Sequence, residues 1–494
     1  MSRPWGDALA LAGGAMVPFA FAPVGAYPLA VLLVATLLWS WEGQTPLRAV
    51  WRGALFGFGL FSVGIYWVFI SLHDFGSAPA AFAALTTLSL ILLMASYAAA
   101  TGYLVTYFAP QSGPRRWLLV APAVWAILEW MRSWLFSGFS WLSLGYSQID
   151  GPLGGLAPYL GTFGVGWAVW VSAGLVMLVL RSCWPARIGW SLLALLLWCG
   201  SWALGQVTWV ERAGDPLRVS LVQGNISQEL KWLPEQLEQS LAVYVGLSLD
   251  VGDESDLIIW PETAIPAFYS DIERDFIPAL EAEAKRSQTD YLSGIPAGSW
   301  ETGVFYNAVV SIGSSHGFYH KRHLVPFGEY LPLRVILDFF SRFVEIPMSD
   351  FTAGALDQPL LHAAGYPVGV SICYEAAFGN EIRRSLPQAR FLVNLSNDAW
   401  FGNSSAPHQH LQMARMRALE TGRYMARATN TGISAFIDAR GRVISQSSQF
   451  TAEVLQGTVQ PLSGATPYVR LGDGGALVLF SALFSLALAW ARRG

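Results

Sequence analysis

Three blocks of hydrophobic pattern divide the chain. From the N-terminus to Val210, apolar runs follow one another with only short polar breaks. From Asp215 to about Gln460, apolar stretches of strand and helix length alternate with charged segments. The end, "GGALVLFSALFSLALAWARRG", is apolar again. A helix needs about 20 apolar residues to cross a hydrocarbon core. The outer two blocks supply eight candidate spans, at 8–22, 26–41, 53–72, 79–109, 117–136, 160–180, 188–208 and 474–491. The first two are short and meet at "FAPVGAYP", so they also fit a re-entrant hairpin, and the first also fits a signal peptide.

Arginine placement orders these spans. With eight crossings, Arg3, Arg48 with Arg52, Arg115 with Arg116, Arg181 with Arg187, and Arg492 with Arg493 all fall on one side. The alternate loops "HDFGSAP" and "SGFSWLSLGYSQIDGPLGGLAPYL" contain neither Lys nor Arg. Positive loops stay cytoplasmic, so both ends are expected inside and the middle block outside. The expected organisation is a polytopic helical membrane domain over 1–210, an outward-facing domain over 215–465, and a last helix at 474–491.

Within the middle block, "LRVSLVQGN", "DLIIWPET", "DYLSGIPA", "FYNAVVSIG", "YPVGVSICYE", "ARFLVNLSND" and "ISAFIDARGRVIS" read as strands. "LPEQLEQSLAVYVGLSL" and "RDFIPALEAEAKRSQ" have helical spacing. "APHQHLQMARMRALETGRYMARATN" predicts a long amphipathic helix with Met413, Met416, Leu419 and Met425 on a buried stripe. Interleaved strands and helices imply a layered α/β domain, and near-continuous apolar strands imply sheets covered on both faces.

Composition supports a membrane protein. Of 494 residues, 53% are hydrophobic and 13% charged, against about a quarter charged in soluble domains. Mean hydropathy is +0.40. The net charge of −4 says little, and no polybasic run points to nucleic acid. No lysine occurs before Lys231.

Three cysteines are present. Cys183 lies at the expected cytoplasmic end of span six, Cys199 within span seven, and Cys373 in the outer block. A lone thiol in an oxidising compartment is a liability unless buried or used. Glu262 in "IIWPETAIP", Lys321 and Glu329 in "GFYHKRHLVPFGEYLP", and Cys373 and Glu375 in "GVSICYEAAFGNEI" all sit where apolar strands end, the usual place for α/β sites. A carboxylate can take a thiol proton, and a lysine can stabilise the thiolate and the later oxyanion. A helix expected to start near Ala376–Phe378 would add its dipole, and Glu329 is placed to fix Lys321. Each residue also has a structural reading: core thiol, turn carboxylate, solvated loop charge.

These residues resemble the nitrilase (carbon–nitrogen hydrolase) superfamily, whose sites use Glu, Lys and Cys in this chain order. "QGNISQELKW", "WPETAIP", "FYNAVVSIG", "YHKRHLVPFGEYLP", "SICYEAAFG", "LVNLSNDAWFG" and the membrane stretch "GFSWLSLGYSQIDGPLGGLAP" together resemble the bacterial apolipoprotein N-acyltransferase family, across essentially the whole chain. The resemblance implies an αββα sandwich, with Glu262 as general base, Lys321 as oxyanion stabiliser and Cys373 as nucleophile. It implies supporting or substrate-binding roles for Glu329, Tyr374, Glu375, Trp232 and Asn307, with the Tyr374 N–H completing the oxyanion hole. It further implies ping-pong transfer of a fatty acyl group from a membrane phospholipid, through a cysteine thioester, to the N-terminal diacylglyceryl-cysteine of an apolipoprotein. No cofactor or metal is implied, and the expected location is the bacterial inner membrane, with a periplasmic catalytic domain. The stretch after "GEYLP" carries no motif and is assigned no role.

Other features carry less. His408 and His410 stand at i, i+2, which points their rings apart on a helix and argues against a metal site. The three Asn-X-Ser matches include Asn394 inside an expected strand. Glu129 and Arg132 share a helix face within span five, open to a functional role or to mutual pairing. Phe136, Phe139, Trp141 and Tyr146 fit either an interfacial aromatic belt or a lip admitting acyl chains. Two rival functions remain at this level: a membrane-tethered amidase or nitrilase, and a transporter or scaffold with an outer binding domain. The membrane block shows no internal repeat of the kind transporters carry.

Overall fold

The computed structural model describes every residue except Met1, Ser2, Trp300, 331–349 and 492–494. Arg492, Arg493 and most of the motif-poor stretch after "GEYLP" therefore lie outside the described residues. The chain divides into a helical unit, Met1–Phe69 with Ala81–Thr208 and Thr466–Gly494, and an α/β unit, Trp209–Ala465 with Ile70–Ala80.

Helix occurs at all eight candidate spans: Arg3–Met16, Pro28–Ser40, Pro46–Gly64, Ala80–Phe108, Ala121–Arg132, Ala157–Arg181, Trp184–Leu204 and Asp473–Ala491. By length and apolarity, four helices among the described residues reach membrane-spanning size. A fifth does so if Pro46–Gly64 and Trp67–Phe75, bent by 50°, form one broken span. Pro28–Ser40 has 13 residues, about 20 Å at the helical rise, short of a hydrocarbon core of about 30 Å. Small residues let these helices touch: a Cβ on Gly14 would stand 1.9 Å from the Phe56 carbonyl oxygen, so the backbones of Arg3–Met16 and Pro46–Gly64 are in contact there.

The Glu129–Arg132 pair is buried, with nitrogen and oxygen 3.7 Å apart. Arg132 donates to the carbonyls of Phe139 (2.6 Å) and Trp141 (2.8 Å) and to the Ser143 hydroxyl (3.1 Å). Glu129 accepts from the Leu144 N–H at 2.9 Å. The pair ties down the loop at 139–144. Trp141 and Tyr146 of that loop are buried, Trp141 against Trp67 at 4.7 Å between centroids. Neither the belt nor the lip describes those two rings; Phe136 alone of the four is well exposed.

In the α/β unit the strands are β1 Val210–Arg212, β2 Leu217–Gln223, β3 Leu257–Ile259, β4 Asp290–Ser299, β5 Val304–Ile312, β6 Gly317–His320, β7 Leu361–Ala363, β8 Tyr366–Ile372, β9 Phe391–Ser396, β10 Met425–Thr429, β11 Ala435–Ile437, β12 Val443–Gln446, β13 Glu453–Val459 and β14 Leu462–Gly464. Two six-stranded sheets form, ordered β13-β2-β3-β4-β5-β6 and β12-β11-β10-β9-β8-β7. In each, three central strands run parallel, β2-β3-β4 and β8-β9-β10, flanked by antiparallel edges. Val219, Leu221, Ile259 and Leu292 of one sheet meet Val368, Val370, Ile372, Val393 and Leu395 of the other. The outer face of the first sheet packs on helices Leu237–Leu249 and Phe276–Ser287 through Tyr244, Ile277 and Leu280. The outer face of the second packs on helix Ala406–Thr421 through Leu411, Ala414 and Ala418. The expected αββα sandwich is the result.

Two expectations need correction. The long helix stops at Thr421, where Gly422 takes the left-handed conformation at φ 64°, as C-caps often do. Met425 therefore opens β10 instead of extending a helical stripe. That helix is buried on most sides, its Arg417 and Glu420 included. The helix expected near Ala376–Phe378 starts earlier and is shorter: Cys373–Ala377 is a 3-10 stretch, followed by the four-residue helix Gly379–Ile382. Such short turns contribute little macrodipole at the thiol.

Candidate active site

The predicted residues converge where the parallel strands end. Trp260 still donates to Leu292 as a strand residue, but Pro261 has no N–H to continue the ladder. The chain turns there, and Glu262 leaves the end of β3. Gly294 of β4 passes beneath: a Cβ there would stand 2.6 Å from the Glu262 Cα and 2.5 Å from the Pro261 oxygen. Lys321 follows β6, its N–H bonded to the Asn307 carbonyl of β5 at 2.8 Å. Cys373 follows β8 in the facing sheet, with φ at +49°. A non-glycine residue in that region is strained by about 1–3 kcal/mol, a cost met where surrounding structure dictates it.

The buried Lys321 ammonium sits between two carboxylates, 2.9 Å from Glu329 and 3.5 Å from Glu262. Asn307 bridges the same pair, donating from Nδ2 to each at 2.8 Å. The second Glu262 oxygen accepts from the Asn397 N–H of the other sheet at 2.9 Å. The second Glu329 oxygen accepts from Val325 N–H at 2.8 Å. One Glu262 oxygen is thus held within its own sheet by Asn307 and Lys321, and the other is held across the seam by Asn397.

Burial pushes the Cys373 thiol well up, and the nearby Glu262 and Asp398 charges push it further; Lys321 and a hydrogen bond with Ser396 oppose them without reversing the result. Burial pulls the Lys321 ammonium down, but Glu329, Glu262 and Cys373 more than offset it, leaving it raised. The balance at Cys373 favours the thiol over the thiolate and the balance at Lys321 favours the ammonium, so a nucleophilic Cys373 calls for a base at the moment of attack.

Glu375 does not point its charge at the thiol. It accepts from Ile372 N–H (2.7 Å), Arg322 N–H (2.7 Å), His323 N–H (3.2 Å) and the Tyr319 hydroxyl (3.0 Å). It thereby staples the turn carrying Cys373 to the segment carrying Lys321. Tyr374 packs edge-on against Phe378, at 5.0 Å between centroids. Trp232 is half-buried in the turn after β2.

Several participants escaped the sequence reading. His410, set aside with His408, is buried and donates from Nε2 to the Cys373 carbonyl at 3.0 Å. Its Nδ1 lies 2.9 Å from Asp398, which also meets Arg427 at 2.8 Å. Burial alone would raise the Asp398 carboxyl, but Arg427 and His410 hold it well below the usual range. Asn397 and Asp398 stand in the quoted motif "LVNLSNDAWFG", but a backbone donor leaves no mark on sequence. Lys231, beside Trp232, is buried and donates to the Glu262 carbonyl at 3.2 Å.

Two sheets sandwiched between helices, with Glu, Lys and Cys at adjoining strand ends, define a carbon–nitrogen hydrolase domain. The carbon–nitrogen hydrolase family model matches residues 218–468, and the model of the apolipoprotein N-acyltransferase N-terminal domain matches 13–175. Similar relatives named apolipoprotein N-acyltransferase occur in Methylococcus capsulatus (47% identical, covering 98% of this chain and 96% of the relative), Nitrosomonas europaea (43%, 96% and 95%) and Azotobacter vinelandii (42%, 95% and 92%). The chain belongs to the apolipoprotein N-acyltransferase family. This pair of domains fits lipoprotein N-acylation by an acyltransferase, and the apolar helices fit a membrane protein.

Proposed function

We propose that the chain acylates the α-amine of a lipoprotein's N-terminal diacylglyceryl-cysteine in two half-reactions through Cys373. In the first, Glu262 takes the Sγ proton as sulfur attacks a phospholipid ester carbonyl. Lys321, with the Tyr374 N–H, stabilises the oxyanion. The C–O bond breaks, the Glu262 proton passes to the leaving glycerol oxygen, and a lysophospholipid departs from a thioester. In the second, the neutral α-amine attacks the thioester, Glu262 takes a proton from its nitrogen, the C–S bond breaks, and the proton returns to sulfur. Asn307 orients the base, Glu329 fixes the lysine beside it, Glu375 ties the turn of the thiol to the segment of the lysine, and Trp232 lies against substrate.

One observation carries this reading: the buried Lys321 ammonium stands 3.5 Å from the Glu262 carboxylate, and the Cys373 thiol at the end of β8 lies within the electrostatic reach of both. That arrangement suits base-assisted acyl transfer. It also suits a lone thiol on the outer side of the inner membrane, since oxidants attack thiolates. The arginine alternation supports eight crossings with both termini cytoplasmic and a periplasmic catalytic domain. A reporter fused after Arg212 should then work only outside, and one fused after Arg181 only inside.

The deciding assay mixes the purified protein with phospholipid vesicles and a synthetic diacylglyceryl-cysteine peptide. Gain of one acyl mass on the peptide amine is expected. Ammonia release from small amides without peptide acylation would favour the amidase reading instead.

A further inference from the structure

The chain holds three lysines against 27 arginines. One, Lys285, is exposed on helix Phe276–Ser287. The other two are buried against one residue: Lys321 meets the Glu262 carboxylate, and Lys231 meets the Glu262 carbonyl. Elsewhere this protein ties buried carbonyls with arginine. Arg423 donates to Ala389, Gly422, Pro387 and Gly464, and Arg132 to Phe139 and Trp141. Lys231 ties one carbonyl at 3.2 Å, and among the described residues no carboxylate forms an ion pair with it. A buried cation with so little compensation is costly and is a poor structural choice in an arginine-rich chain. An ammonium differs from a guanidinium in being compact and able to lose its proton when buried.

We propose that Lys231 is a positioning residue for the Glu262 base: it anchors the turn that carries Glu262 and places a positive charge beside its carboxylate. The proposal rests on the reading of Glu262 as base. Lys231 closes its own turn by donating its backbone N–H to Ser227 at 3.0 Å. The side chain therefore links the "QGNISQELKW" turn to the β3 terminus. Burial lowers the ammonium from its ordinary range to about 8, and the Glu262 charge pulls it back up. Around Glu262 itself stand Lys321, Glu329 and Cys373.

Two measurements test this. Lys231→Met and Lys231→Gln remove the charge, and Gln keeps a donor. Both should lower kcat for acyl-enzyme formation, Met by about 10²-fold, with KM for phospholipid changed far less. Wild-type kcat, or a loss confined to KM, would overturn the proposal. Glu262→Gln is run in parallel: if it too remains active, the base reading fails, whereas an inactive Glu262→Gln beside a normal Lys231→Met defeats only Lys231.

The second measurement needs no Lys231 variant. Wild-type enzyme labelled with [ε-13C]lysine gives three signals, and Lys285→Arg identifies the exposed one. One buried signal should titrate near pH 8, and its midpoint should fall in Glu262→Gln, which removes the charge that favours the ammonium. A midpoint indifferent to Glu262→Gln would overturn the proposal even if the Lys231 variants fail to fold.

Discussion

Glu375→Gln changes one oxygen to a nitrogen in the buried staple between Cys373 and Lys321. The carboxylate now accepts on both oxygens: Ile372 N–H and Tyr319 on one, Arg322 N–H, His323 N–H and Tyr319 on the other. An amide accepts on one side only. If its oxygen keeps Arg322 and His323, its NH2 group faces the Ile372 N–H, donor against donor. Tyr319 can rotate to accept, but Ile372 cannot. Orphaning one buried N–H costs about 1–3 kcal/mol, and turning the amide the other way orphans two. A loss of about 2 kcal/mol shifts the melting point of a domain this size by about 4–8 °C. The orphan lies on the residue before Cys373, so the rate should fall as well if Cys373 is the nucleophile as proposed. The assay is tryptophan-fluorescence melting of the purified protein, together with the rate of acyl-enzyme formation at saturating phospholipid. A variant with unchanged melting and wild-type rate would refute the staple and return Glu375 to a role at the substrate.

Three further outcomes follow from the same geometry. Lys321→Ala should slow thioester formation by about 10²–10³, the usual worth of one oxyanion donor. Lys321→Arg should also fail, because a larger planar guanidinium does not fit between Glu262 and Glu329; near-normal activity of the arginine variant would make Lys321 a structural charge. Gly294→Ala drives a methyl into the Glu262 backbone, so it should cost about 1–3 kcal/mol and lower kcat with little change in KM, and a silent variant would mean that β4 does not support the base. Asp398→Asn leaves Arg427 without its counter-charge and should destabilise by about 3–5 kcal/mol, read as a drop in melting temperature; because the Asp398 carboxyl is held low, its stabilisation persists above the ordinary aspartate range and fades only as pH falls through its lowered value, so the gap between variant and wild type should stay constant from pH 6 to 8.

Strands such as β2, β5, β8 and β9 were legible because most positions on both faces are buried, which writes a near-continuous apolar run. β6 was hidden inside a motif dominated by Tyr319, His320 and Lys321, and β7 is three residues long. β10 was lost because Met425 happens to continue the helical spacing, and only Gly422 marks the stop. In the membrane block, pattern located a helix at each of the eight spans but missed the short helix Pro467–Leu471, overstated the length of Pro28–Ser40 and smoothed over the bend after Gly64. At the site, Glu262, Lys321 and Cys373 were visible by residue type at strand ends. Asn397 acts through its backbone, His410 acts through a carbonyl 37 positions away, and Lys231 was overshadowed by Trp232; none of these has a local signature.

The central claim is that acyl transfer passes through Cys373. Purified protein is incubated with labelled phospholipid in the absence of acceptor, denatured and weighed intact, with and without hydroxylamine. Wild type should gain one fatty acyl mass that hydroxylamine removes and that a diacylglyceryl-cysteine peptide discharges. Cys373→Ala should remain folded and gain nothing, whereas Cys183→Ala and Cys199→Ala, which alter exposed thiols, should behave as wild type. A hydroxylamine-sensitive acyl adduct on Cys373→Ala would contradict the account and leave Cys373 a thiol of the core.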